Sequence, residues 1–383
     1  MSGDGSALAA FKGYGIELEY MIVGSNHLSP FPIADRLLRA ATGTDACDVD
    51  RGMMGWSNEL VLHVIEIKNL RPTADFDSLP AAFQNEVRDI NRLLAPLGAR
   101  LMPTAMHPWM NPRTDTMLWP HDNTGLYRAY GAIFDCRTHG WANLQSMHVN
   151  LPFSGDEQFA RLHAAIRLVL PILPALAASS SIADGSSTGF ADFRMEAYRT
   201  NAQSIASIAG LIIPETISTR AEYEQRILAP MYRDIAERDP QGMLQHEWLN
   251  SRGAIARFDR NAIEIRVIDT QECPQADLAV AAAAIAMTRM FYDAPPASLA
   301  AQQAIPTEAL ASIFLHCIQD GEQARIDDPA YLELLGYPGP RCTAKNLWRH
   351  VVQTIQRSGN RLPDIYHSPL QTILEHGPLA RAL

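Results

Sequence analysis

Apolar and polar positions alternate with a period of two over residues 15–23 (Gly-Ile-Glu-Leu-Glu-Tyr-Met-Ile-Val). The stretch is rich in β-formers, which predicts a strand whose successive side chains point to opposite faces. Residues 58–68, 101–105 and 143–153 read as further strands. Residues 254–270 read as a hairpin turning near 259–261, with Ile263, Ile265 and Val267 on its buried face. Elsewhere the period lengthens to that of a helix. Over residues 73–97, Leu79, Phe83, Val87, Ile90 and Leu94 fall on one stripe, and Gly98 is the stop signal. Helices are also predicted over 32–41, 158–179 (broken at Pro171 and Pro174), 277–292, 307–318, 343–357 and 369–375, with a loop over 106–119.

Strands and helices are interspersed without a regular βαβ rhythm. The expectation is therefore an α+β fold: a largely antiparallel sheet, helices on one face, and a helical C-terminal part. The prolines at 295 and 296 mark the expected boundary between a main domain, residues 1–292, and a helical segment, residues 293–383, packed on it.

With 383 residues, 47% of them hydrophobic, the chain can bury a large core. A net charge of −10 argues against a nucleic-acid partner, which would call for a basic face. The five cysteines include no C-x-x-C pair, so reduced thiols are expected, with no zinc knuckle and no disulfide framework. Residues 1–13 lack a basic stretch followed by an apolar run, and the longest apolar runs (168–178 and 279–287) are too short to span a bilayer. A soluble, cytoplasmic protein without a membrane partner is expected.

Within this pattern a few polar residues break apolar strands. Glu17 and Glu19, two apart, share one strand face, and two such charges about 4 Å apart repel by roughly 4 kcal/mol at an effective dielectric near 20. Glu59 and Glu66 are seven apart, an odd spacing, so a single straight strand would put them on opposite faces. They meet only if the segment bulges or splits into two strands. His148 and Asn150 share a face, as do Glu264 and Arg266 opposite an Ile/Val face. Each element alone reads blandly, as a solvated acidic face, a satisfied histidine or a surface ion pair. Together they would load one sheet face with carboxylates and an imidazole, which is costly without a cation and is the donor set that Mg²⁺ or Mn²⁺ prefers. Residues 185–189 (Gly-Ser-Ser-Thr-Gly) are a weak phosphate signal, and neither a P-loop nor a G-x-S-x-G elbow is present. His107 sits in a rigid aromatic loop, and Arg194 and Arg199 could clamp an anion or cap a helix end.

In order, Gly15-Ile16-Glu17-Leu18-Glu19-Tyr20, Asn58-Glu59 with Glu66-Ile67-Lys68, His107-Pro108, His148-Val149-Asn150, residues 177–181 followed by Thr188-Gly189, and Glu264-Ile265-Arg266 resemble the carboxylate-amine ligases of the glutamate–cysteine ligase type 2 group. The resemblance covers about residues 13–274 and implies a glutamine synthetase-like fold. It implies that Glu19, Glu59 and Glu66 hold one metal, that Glu17, His148 and Glu264 hold another, and that Arg266 faces a transferring phosphoryl group. Leu18 stands where the group usually has a middle glutamate, and Asn150 where many members have a second histidine. Asn150, Arg194 and Arg199 are the candidate contacts to the nucleotide. The implied activity uses ATP and Mg²⁺ (or Mn²⁺) to join an amino-acid carboxylate, the γ-carboxyl of glutamate, to a small amine such as cysteine through an acyl phosphate. Small amino-acid substrates are the expected partners, and a homo-oligomer is compatible with the sequence. The same acidic site leaves three alternatives open: a metal-dependent hydrolase, a guanidino kinase, or a nucleotide-binding homologue without catalysis.

Overall fold

In the computed structural model, which describes residues 7–121, 124–358 and 362–383, Gly15–Gly24 forms β1, the strand around which the rest is arranged. Of the stretch read for a leader, residues 1–6 lie outside the described residues. The other strands are β2 (Asp48–Asp50), β3 (Met54–Asn58), β4 (Val64–Asn69), β5 (Ala99–Met102), β6 (Ser146–Pro152), β7 (Ile182–Ala183), β8 (Ser186–Ser187), β9 (Ala254–Arg257) and β10 (Ala262–Asp269). Seven of them line up as β2-β3-β4-β1-β6-β10-β9, and β5 pairs with the second half of β1. Every pairing is antiparallel. The β6–β10 ladder slips register between Ile265 and Ile268, the kind of irregularity that bends a strand and adds twist.

Alternation decides which face is buried. Ile16, Leu18, Tyr20 and Ile22 of β1 enter the main core beside Trp56, Ile65, Ile67, Met147, Val149, Leu151, Ile263 and Ile265 from neighbouring strands. Burying each such side chain contributes about 1.5–3 kcal/mol. Helices α2 (Leu79–Leu94), α4 (Gly155–Val169) and α6 (Pro274–Tyr292) belong to the same core. Residues 278–284 of α6 are all buried, and their alanines let neighbouring elements approach closely. The remaining helices include α1 (Ala34–Thr42), α3 (Thr124–Ile133), α5 (Phe193–Thr200), α7 (Thr307–Asp320), α8 (Ala344–Arg357) and α9 (His367–His376). The fold is α+β, as the interspersed periods indicate.

Local chemistry sets the limits of the elements. The helix expected from residue 73 begins at Leu79, because side chains compete for the preceding amides. Thr73 Oγ1 accepts from Asp75 N (3.1 Å), and Asp75 Oδ1 accepts from Ser78 N (3.3 Å). The helix closes through a 3₁₀ turn at Ala95–Leu97 onto Gly98, whose φ of 72° suits a residue without Cβ. Residues 58–68 form two strands with a turn between them, and the loop over 106–119 contains a short helix, Pro112–Asp115.

The C-terminal helices are tied to the core by buried polar groups. Tyr331 Oη donates to Leu168 O, Trp348 Nε1 to Ile172 O and Tyr366 Oη to Phe76 O, each at 2.7 Å. Among the described residues no helix is long and apolar enough to cross a membrane.

Candidate active site

The face of the sheet opposite the main core carries the acids. Ladder register sets Glu19 across from Glu66, Glu17 across from Lys68 on one side and His148 on the other, and Glu264 across from Asn150. Like charges placed directly opposite each other destabilise a ladder, so this arrangement is costly unless compensated. The odd spacing of Glu59 and Glu66 is resolved by the split. Asn58 ends β3, Glu59 sits in the turn, and the chain returns as β4 with Glu66 facing the same side.

A chain of hydrogen bonds fixes these side chains. Glu19 Oε2 accepts from Ser146 N (2.7 Å) and Ser146 Oγ (2.8 Å), and Ser146 Oγ lies 2.9 Å from His148 Nε2. His148 Nδ1 lies 3.1 Å from Glu17 Oε2, and Asn150 Nδ2 donates to Glu17 Oε1 at 3.2 Å. Glu66 accepts from Ser57 Oγ (2.8 Å) and pairs with Lys68 Nζ at 2.7 Å. Glu264 lies 3.4 Å from both Arg266 and Arg257, and 3.8 Å from His148 Nδ1. Donor atoms of Glu17, Glu66 and His148 all fall within 4.8 Å of one another, as do those of Glu19, Glu59 and Glu66. Glu66 belongs to both groups and Glu264 to neither.

The electrostatics divide the acids. Burial, then Glu66 and Glu19, push Glu59 well above the usual carboxylate range, and burial, then repulsion from Glu66, raises Glu19. Burial also opposes ionisation of Glu17 and Glu264. At Glu17 the His148 hydrogen bond together with the charges of His148 and Lys68 outweighs it, and at Glu264 Arg266, His148 and Arg257 together do, so both end below the usual range. His148 and Lys68, although buried, are raised by Glu17 and Glu66 respectively and keep their protons more firmly. Oxygen and imidazole donors with no thiol among them suit a hard divalent cation such as Mg²⁺ or Mn²⁺.

Of the candidate arginines, Arg194 on α5 is buried and ion-paired through Nε with Asp269. Asp269 Oδ2 also accepts from Ser179 N and Ser180 Oγ, both at 2.8 Å. Arg199 is not brought to the site: it pairs with Glu196 one turn away on the same helix. The Gly/Ser segment 185–189 belongs to the β7–β8 hairpin, where Gly185 N bonds Pro108 O at 2.8 Å. His107 is fully buried with Nε2 2.6 Å from Leu28 O, a structural placement.

Beside the acids lies a cavity of about 160 Å³. Glu19, Glu59, His148, Arg194 and Arg266 form one side of its lining, and Tyr130, Trp141, Tyr198 and Trp248 are also in it. Sequence reasoning did not find this aromatic group, nor Lys68 and Arg257 as partners of the acids. The aromatics come from four separate helical elements whose convergence has no periodic signal. Lys68 and Arg257 become visible once register is known. The assembled site can hold cations, place an arginine beside them, and bind a small molecule next to both.

A sequence profile of the glutamate–cysteine ligase family 2 matches residues 14–380. An uncharacterized protein of Archaeoglobus fulgidus is 35% identical over 283 residues, 74% of this chain and 75% of that one. Among solved structures, glutamate–cysteine ligase from Francisella tularensis in complex with AMP is similar with a TM-score of 0.55 and 14% identity, over 94% of this chain and 81% of that one. The ligase PafA, in complex with the prokaryotic ubiquitin-like protein Pup, is similar with a TM-score of 0.47 and 11% identity, over 96% of this chain and 65% of that one.

Proposed function

The chain belongs to glutamate–cysteine ligase family 2, a family of ATP-dependent carbon–nitrogen ligases, and from that premise we propose that it joins an amino-acid carboxylate, the γ-carboxyl of glutamate, to a small amine at the expense of ATP. The observation that carries this reading is the convergence of Glu17, Glu19, Glu59, Glu66 and His148 into two overlapping donor groups that share Glu66. On this reading Glu19, Glu59 and Glu66 hold one Mg²⁺, and Glu17, His148 and Glu66 hold a second. Glu264, itself buried, steadies His148 and Arg266. Bound there, the cations would neutralise phosphate oxygens and align the phosphoryl group.

The chain's own groups supply the rest. The carboxylate oxygen of the donor attacks the γ-phosphorus of ATP, ADP leaves, and an acyl phosphate forms. Arg266, held beside Glu264 and kept charged, stabilises negative charge as it develops on the transferring oxygens. Arg194, fixed at Nε by Asp269 and donating from both Nη atoms to Arg266 O at 3.5 Å, keeps the second N–H of each Nη for an anionic group in the cavity. No protein nucleophile is needed, since the intermediate is formed on the substrate. The test is phosphate release from ATP in the presence of Mg²⁺ across a panel of carboxylic acids and amines. Release that requires both a carboxylate and an amine supports the proposal; release that needs neither, or none at all, contradicts it.

A further inference from the structure

The two donor groups meet at Glu66, so whatever holds that carboxylate is what an arriving cation has to displace. Lys68 Nζ and Ser57 Oγ both donate to Glu66 Oε1, at 2.7 Å and 2.8 Å, and Nζ also donates to Ser57 Oγ at 2.8 Å. The β1–β4 ladder sets Lys68 directly across from Glu17, which belongs to the second donor group. The Lys68 side chain is 29% exposed, so its ammonium has a path to water that Glu66 lacks. The residue type is informative as well. Only three of the chain's 32 Lys and Arg residues are lysines, Lys12, Lys68 and Lys345. Glu264 is answered by the planar guanidinium groups of Arg257 and Arg266. At Glu66 the partner is instead a compact point charge on a flexible four-carbon stem, closer in kind to a metal ion.

We propose that Lys68 is the resting counter-ion of the metal site: its ammonium neutralises Glu66 until a divalent cation arrives, and the cation displaces it. The inference rests on the metal reading given above and adds a built-in competitor to it. A divalent cation and an ammonium at one carboxylate repel each other, so uptake of the cation breaks the Lys68–Glu66 ion pair. Lys68 therefore holds down the divalent affinity of the chain when no nucleotide is bound. Once displaced, the ammonium swings on its stem toward water, where it is free to meet an anionic ligand. A nucleotide phosphate that takes up this charge offsets the broken pair, so cation and nucleotide strengthen each other's binding by the same factor. Lys68 is thus a positioning residue: it acts on the cation through Glu66 and takes no part in bond making.

Mn²⁺ is titrated into the full chain, without nucleotide and then with a non-hydrolysable ATP analogue. Without nucleotide, Lys68→Met is expected to bind Mn²⁺ at least ten-fold more tightly than wild type, and to gain less affinity when the analogue is added. Ser57→Ala, which removes a hydrogen bond to Glu66 and leaves the charge, is expected to stay within about three-fold of wild type. Thermal unfolding gives a second readout. Lys68→Met should melt below wild type in EDTA and recover that loss in saturating Mg²⁺, because the cation supplies the missing charge. Mn²⁺ binding no tighter than wild type in Lys68→Met overturns the inference. So does equal tightening in Ser57→Ala, or a melting deficit that Mg²⁺ leaves in place. Two further results separate the claims. Mn²⁺ that binds wild type, is lost in Glu66→Gln and is unchanged in Lys68→Met keeps the metal reading and removes this one. Ten-fold tighter binding by Lys68→Met, with no ATP-dependent turnover on any carboxylate and amine, keeps this inference and removes the ligase reading.

Discussion

Replacing Glu59 by Gln should stabilise the protein without divalent cations and destabilise it, relative to wild type, with them. Oxygens of Glu59, Glu19 and Glu66 lie within 4.8 Å of one another. At an effective dielectric near 20, each pair of charges at that separation or closer repels by about 3.5 kcal/mol or more, so the two pairs involving Glu59 would cost about 7 kcal/mol or more if all three acids were ionised. Glu59 avoids part of this by holding a proton, since burial and then Glu66 and Glu19 push its carboxyl well above the usual range. A group raised in the folded state stabilises below its unfolded pKa, about 4.3 for Glu, and that contribution is lost as pH rises through the folded value. In EDTA the wild type should therefore lose stability on going from pH 5 to pH 8, and Glu59→Gln should lose less. Magnesium should invert the order. A cation at 100 times its Kd adds about 2.7 kcal/mol, and Gln gives up one anionic ligand. Thermal unfolding of both proteins at pH 5 and pH 8, in EDTA and in saturating Mg²⁺, reads this directly. A variant that melts below wild type in EDTA at pH 8, or gains as much from Mg²⁺ as wild type does, would refute the reasoning.

Glu17→Gln and Glu264→Gln should each abolish ATP-dependent turnover with the fold intact by circular dichroism; near-normal turnover in either would contradict the proposed site. Arg266→Ala should lower kcat by about 10²–10³ with little change in KM, the usual cost of removing one preorganised charge-stabilising donor. Asp269→Asn leaves Arg194 buried without its carboxylate and should cost about 3–5 kcal/mol in urea unfolding, whereas a loss below 1 kcal/mol would mean another group takes over the pairing. His163 is buried with both ring nitrogens unpartnered, and burial, then Arg167, lowers it to about 3. Its unfolded form takes up a proton near pH 6.5, so between pH 6.5 and 4 wild type should lose about 3 kcal/mol that His163→Leu does not.

Much of the sheet was legible because alternation with period two is enforced by burial on one face. A one-residue slip would expose Ile16, Leu18, Ile263 and Ile265, so the same constraint that hides them aligns Glu17, Glu19 and Glu264 on the other side. The odd spacing of Glu59 and Glu66 stated the problem but not its solution. Bulge and split were equally compatible with the sequence, and the turn after Asn58 settles it. Arg199 illustrates the opposite failure. Its proximity in sequence to Arg194 suggested a shared role, yet the two point to different places on α5, and Glu196 three residues away claims Arg199. The aromatic lining of the cavity was illegible because Tyr130, Trp141 and Trp248 lie on three separate helical elements, whose convergence leaves no period in the sequence.

Counting bound Mn²⁺ by electron paramagnetic resonance, with an ATP analogue present, tests the central claim most directly. Two Mn²⁺ per wild-type chain are expected, one in Glu59→Gln, and neither in Glu66→Gln, because Glu66 belongs to both donor groups. Undiminished Mn²⁺ binding by Glu66→Gln would contradict it.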